Sequence, residues 1–492
     1  MTKWFIIMAT SVLVSGMTFG TPVDITPYLG DNWYGLYFNG EKVGYLLKSV
    51  SVTDAGEIEV LEDAHFMITM SGVKQDMSIY SKRSYAATGE LLHIKAEMKD
   101  PAQLSTFHAQ VQHDTLTMTS VLGDAVREEE FPKPSETLTD ALHHAIWVSE
   151  EPQQDDVINF SMFEPMYQKE VSGISRIAGT EERIFNGVPT RVYEIHSVLD
   201  LMDIESTSYV TDCGVTVEDV VAGVFTMRLE PEEAAKDVNY SVDTMVSNAV
   251  TLKSPIENPR ERPWLRLKLR GPLRGSHLIN DDRQRMQELD EYVDFYATRT
   301  DVSALPLPEL PITDEELLTH TRPSTYAQSD APEIIAKSQE IVGNETNPLR
   351  IAEKLCNWVS ANMRNVFSAR LSNALEVLES MEGDCTEYTV LYVALARAAG
   401  LPAKKVAGLI YVENEHPGFY FHQWASVWLG EWVDVDPAFN QLPVDVTHIK
   451  FAEGDLFRQA RILPLIGRLD IEVVDIPWEG DEQETSTEQM PE

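Results

Sequence analysis

Cysteine is scarce in this chain: 492 residues hold three, Cys213, Cys356 and Cys385. That excludes a disulfide framework, since at most one pair can form and one thiol is left over. Basic residues are scarce too, 39 against 79 acidic ones, for a formal net charge of −40. Nonspecific binding to nucleic acid or anionic lipid is therefore unfavourable, and the charge reads as a solvated acidic surface. No phosphate-binding glycine loop, dinucleotide fingerprint, metal-ligand cluster or internal repeat is found, so neither cofactor nor metal is implied. Long apolar runs are missing except at the start, where Lys3 precedes a run from Trp4 to Val14 and then small residues. That pattern reads as a secretory signal peptide over residues 1–20, because the run is short of the ~20 residues a spanning helix needs. The expectation is export, to the periplasm or beyond, with no stable membrane insertion after cleavage. Residues 476–492 form an acidic tail that reads as disordered.

What is present divides by period. Over residues 21–253 apolar and polar residues mostly alternate between turn signals, and Asn39-Gly40 and Asn186-Gly187 sit between strand-like flanks. A third hairpin is expected around "SYVTDCGVTVEDV", with Cys213 in its turn. These signals predict an antiparallel β region of one or two domains. Residues 254–330 are rich in proline and charge and are expected to be a connector laid over a surface. Helical spacing then appears in "APEIIAKSQEIV", "NPLRIAEKLCNWVSANM" and "SNALEVLESM", with Asn347-Pro348 and Ser372 as helix starts. Strand patterns return over residues 404–435, so residues 331–475 are expected to form an α+β domain.

The leftover thiol is best explained by "GDCTEYTVLYVALARAAGLPA". Asp384 is a favourable N-cap and Glu387, three positions on, completes a capping box. Cys385 is then the first helical residue, where unpaired amides and the helix dipole favour a thiolate. The rest of the helix is apolar nearly all round and should be buried. A free cysteine is equally a small buried hydrophobe, so the motif signals a nucleophile only if a base faces it.

The stretch "FHQWASVWLGEWVDVDP" supplies that base. On a strand, His422, Trp424, Ser426 and Trp428 share one face, and on the next strand Trp432, Asp434 and Asp436 share one. Whether the faces coincide depends on the parity of the turn. A two-residue turn sends His422 and Asp436 to opposite faces. A three-residue loop, Leu429 to Glu431, pairs Trp428 with Trp432 and sets Asp436 diagonal to His422, and Gly430 suits the left-handed position such a loop needs. The three-residue loop is therefore predicted, with Asp434 opposite Ser426. Three lesser signals have simpler explanations: His416 as a solvated loop residue, His448 as a structural one, and the tryptophans as packing.

Cys385, His422 and Asp436, in this order and in these motifs, resemble the transglutaminase-like superfamily. The resemblance implies a papain-like thiol-enzyme core, with Cys385 as nucleophile, His422 as base and Asp436 as orienting acid. It implies attack on an amide carbonyl of a protein or peptide, by hydrolysis or acyl transfer to an amine. Exported bacterial members similarly place a β-rich region before the core, and Ser426 stands where a glutamate is common. The competing expectation is a non-catalytic binding or scaffold protein that uses the β region and retains only the fold.

Overall fold

The computed structural model describes residues 24–70, 73–100, 103–123, 125–185, 187–200, 204–238, 249–252, 254–366, 372–414, 416–454 and 456–476. The expected leader, the acidic tail from residue 477 onward and Asn186 lie outside the described residues. Among the described residues no helix is long and apolar enough to cross a membrane. They fall into two compact units, one ending at residue 238 and the other starting at residue 249.

The first unit is one 14-stranded antiparallel sheet. Eight strands follow in chain order from Gly30–Phe38 to Ala125–Pro132, each beside its predecessor. Two short helices, Leu138–Ala141 and His143–Ser149, lead to six more strands, from Val157–Glu164 to Phe225–Leu229. The last strand pairs with the first, Tyr34 opposite Leu229, and joins the two runs into one sheet. Asn39 and Gly40 have φ of 47° and 85°, so both central positions are left-handed, which matches strand twist in a two-residue hairpin. Cys213 lies exposed in the turn between Ile204–Thr211 and Thr216–Val221, as the third hairpin signal predicts.

The second unit packs helices against a five-stranded antiparallel sheet. Its four longest helices are α1 (Pro332–Val342), α2 (Pro348–Asn362), α3 (Ala374–Ser380) and α4 (Cys385–Ala398). Its sheet contains β1 (Ala403–Val412), β2 (Gly418–Trp428), β3 (Trp432–Val435) and β4 (Ile449–Glu453), with the short strand Val250–Thr251 at one edge. Asn347 caps α2 by accepting the Arg350 amide, with Pro348 at N1 where no amide bond is lost. Helix α3 starts one residue later than expected: Asn373, not Ser372, accepts the Leu375 and Glu376 amides, and Glu376 closes the capping box. Helix α4 is the core of the unit, with ten buried residues from Glu387 to Ala396. Leu391 and Leu395 are fully enclosed, so truncating either to alanine should cost about 2–5 kcal/mol.

The stretch expected to be a surface connector holds a second sheet instead. Trp264–Arg270, Gln284–Glu288 and Val293–Thr298 are antiparallel strands, and Asp470–Val474 completes the set. Leu265, Leu267 and Leu269 are fully buried, while the alternate Arg266, Lys268 and Arg270 pair with Asp294, Glu472 and Asp470. The strand alternates with period two, but three of its outward residues, Arg266, Lys268 and Arg270, are basic and its flanks are proline-rich, which conceals it.

A candidate thiol active site

The thiol is mounted rigidly. Asp384 Oδ1 accepts the Thr386 amide at 2.9 Å, and Glu387 Oε2 accepts the Asp384 amide at 3.0 Å, closing the capping box. No hydrogen bond of this cap uses the Cys385 amide, which leaves it suited to a developing oxyanion. Gly383 permits the tight approach of the chain to the helix, since a Cβ there would sit 2.2 Å from Glu387 Cβ. One turn on, buried Thr389 donates to Cys385 O at 2.7 Å and lies 3.1 Å from the carbonyl of Gln423, tying α4 to β2 beside His422. Cys385 itself is half-buried.

The turn after β2 has the parity the sequence requires. Trp428 pairs with Trp432, Val427 with Val433 and Ser426 with Asp434 across a three-residue loop. Gly430 has φ of 98°, and a Cβ there would lie 2.2 Å from Pro306 O. Only glycine meets both conditions. His422 and Asp436 consequently reach the same face, with Nε2 to Oδ2 at 2.7 Å. With Nε2 engaged by the carboxylate, Nδ1 is the ring nitrogen left for Cys385, whose thiol is near enough to act on the charge of His422.

The electrostatics follow from what faces each group. Burial alone would lower the His422 pKa, but Asp436 and then Cys385 outweigh it and raise it to about 10. Burial likewise opposes charge on Asp436, yet His422 and His448 hold its carboxyl well below the usual carboxylate range. Asp436 is fully enclosed, and its Oδ1 accepts the amides of Ala438 at 2.9 Å and Phe439 at 3.2 Å. The ring of Phe439, 40% exposed, stands edge-on to His422 with centroids 5.4 Å apart, an apolar wall at the site.

Asp434, two residues away on the same face, does different work. It is 2.9 Å from Lys450 Nζ and 3.4 Å from Arg283 and is buried with both. Lys450 also meets Asp281 at 2.8 Å and Glu453 at 2.9 Å, so this is a packed charge cluster under the sheet. His416 is exposed in a turn and Trp424 is fully buried, while Trp428 and Trp432 pack edge to face at 5.6 Å. The three cysteines are free thiols. Cys356, on α2, lies 3.8 Å from the Asp436 carbonyl, and burial first, then Asp436, pushes its pKa up to about 12.

Sequence reasoning placed His448 outside the site, but the structure brings it in, with Nε2 3.0 Å from Asp436 Oδ2. Its usable signal was Asp445 three residues earlier, a second carboxylate for the same ring. His422, Asp436 and His448 form the one group among the described residues whose donor atoms are close enough to hold a metal ion, all within 4.8 Å. The separations of 2.7 and 3.0 Å are hydrogen-bond lengths, and hydrogen bonding alone accounts for the arrangement.

An 86-residue stretch is 36% identical to an "Uncharacterized protein" of Haemophilus influenzae, and the match covers 16% of this chain and 23% of that one. This chain thus spans about a quarter of the length of that relative. Among solved structures, a "Putative Cysteine Protease" from Cytophaga hutchinsonii is similar with 14% identity and a TM-score of 0.30, over 44% of this chain and 89% of that one. A "Beta-barrel-like Protein of Domain of Unknown Function" from Brucella abortus gives 9% identity and a TM-score of 0.31, over 41% of this chain and 94% of that one. Likeness at that level does not carry an activity from one chain to another. Residues 335–437, which contain Cys385, His422 and Asp436, match the model of the transglutaminase-like superfamily, and the chain therefore carries a transglutaminase-like domain.

Proposed function

We propose that this protein is a cysteine-dependent enzyme that attacks amide carbonyls of protein or peptide substrates. The observation that carries the reading is His422, held at 2.7 Å by a buried carboxylate and facing the thiol at the mouth of α4. Cys385 as thiolate adds to the carbonyl carbon, and the carbonyl oxygen becomes an oxyanion beside the Cys385 amide. His422 gives its proton to the departing amine as the C–N bond breaks, leaving a thioester on Cys385. Water or a second amine, deprotonated by His422, then displaces the thiol. The first route is hydrolysis and the second is acyl transfer. Asp436 stabilises the imidazolium and fixes the ring.

The test is a mixed peptide library incubated with the full chain, with and without a primary amine, and read by mass spectrometry. The expected result is new cleavage products or amine-bearing products and an acyl adduct on Cys385, all missing from Cys385→Ala. Identical product profiles for the two proteins would overturn the reading and favour the binding or scaffold role.

A further inference from the structure

Asp436 has more partners than orienting one imidazole requires. Two backbone amides occupy Oδ1, and two imidazoles, His422 and His448, converge on Oδ2. His448 is fully buried just before β4, outside residues 335–437. Its Nδ1 faces Asp445 Oδ1 at 3.4 Å. Asp445 is fixed in turn: Oδ1 accepts the Thr447 amide at 2.8 Å and its hydroxyl at 2.6 Å, and Oδ2 accepts Gln441 at 2.8 Å and Arg260 at 2.5 Å. The backbone of His448 is also pinned, its carbonyl accepting Arg283 at 2.9 Å.

With two donors on each oxygen, every lone-pair direction of Asp436 is filled, and the carboxylate cannot rotate without losing a charged hydrogen bond. We propose that His448 is a positioning residue for the thiol chemistry: it locks Asp436, and through Asp436 it sets the His422 ring that faces Cys385. This rests on the reading of Cys385, His422 and Asp436 as the working site. The charged and titratable groups around the lock are His422 from β2, the Cys356 thiol from α2, Asp445 from the segment before β4, Arg260 from the residues before the second sheet and Arg283 from the connection between its strands Trp264–Arg270 and Gln284–Glu288.

The role separates from simple packing by the position of one N–H. A glutamine amide reproduces the Nε2 donor of histidine, whereas the shorter asparagine amide sits where Nδ1 is and cannot reach Asp436. The experiment measures the rate of iodoacetamide alkylation of Cys385 against pH in the full chain by mass spectrometry. The proteins compared are wild type, His448→Gln, His448→Asn, Asp445→Asn and His422→Ala. The expected result is a His448→Gln profile on that of wild type, with His448→Asn displaced to higher pH by about one unit, the size of a lost charged hydrogen bond. Asp445→Asn, which touches His448 but not Asp436 and keeps the side-chain shape, should move the same way by less and serves if His448→Asn does not fold. Coincidence of wild type with both asparagine variants, while His422→Ala still differs from wild type, overturns the role of His448 alone. A wild-type profile that already coincides with His422→Ala overturns this role and the proposed function together.

Discussion

His143 in the first unit and His422 in the second are both buried imidazoles, and they titrate in opposite directions. The ring of His143 packs against His144 and Phe160, with centroids at 3.7 and 5.8 Å. Burial first, and then the like charge of His144, hold its pKa well below the ordinary 6.5. His422 is desolvated too, but Asp436 and Cys385 face it and its pKa rises to about 10. Burial therefore favours a neutral histidine, and only the acidic partner across the ring makes one that keeps its proton.

The largest expected effect removes that partner directly. At about pH 6, His422→Ala should lower alkylation of Cys385 about a hundredfold, because a thiol of ordinary pKa ~8.5 is then almost wholly protonated. Asp436→Asn should lower it about tenfold or more, since the amide no longer balances the imidazolium. Asp434→Ala sharpens the contrast between neighbours on one strand. It takes one of three carboxylates from Lys450, which keeps Asp281 and Glu453, and the acidic neighbour from Arg283; it should cost about 1.5–3 kcal/mol in denaturant unfolding, yet leave the alkylation profile of the folded protein within a few-fold of wild type.

The smallest effects lie in the pH dependence of stability, and their signs are opposite. The folded pKa of His422 is raised, so its contribution is full below about 6.5 and lost as pH climbs through about 10. The stability difference between wild type and His422→Gln should therefore shrink on the alkaline side. The folded pKa of His143 is depressed, so the unfolded chain takes up the proton first and the fold weakens as pH falls below 6.5. His143→Gln should flatten that acid limb in thermal melts recorded from neutral to acidic pH.

The site was largely legible in the sequence because local rules write it. The capping pattern of Asp384 and Glu387 places the thiol, and turn parity at Gly430 decides whether His422 and Asp436 meet. The fold was legible where period and turn chemistry agree, as at Asn39-Gly40 and along α4. Three features were not, and each is long-range or masked. The pairing of Gly30–Phe38 with Phe225–Leu229 joins strands nearly two hundred residues apart, which no local pattern encodes. The strand Trp264–Arg270 hides its alternation among basic residues whose acidic partners lie on other strands. His448 sits in a stretch buried continuously from Val444 to Ala452, where alternation cannot say which way a side chain faces.

Whether His422 and Cys385 act as one unit, as proposed, is read most directly from the alkylation rate of Cys385 against pH in wild type and His422→Ala. The expected result is a thiol already reactive near pH 6 in wild type, with the variant requiring about pH 8.5 to match it. Superimposable profiles, both rising only near that ordinary thiol value, would contradict it and leave the transglutaminase-like domain as a fold without this chemistry.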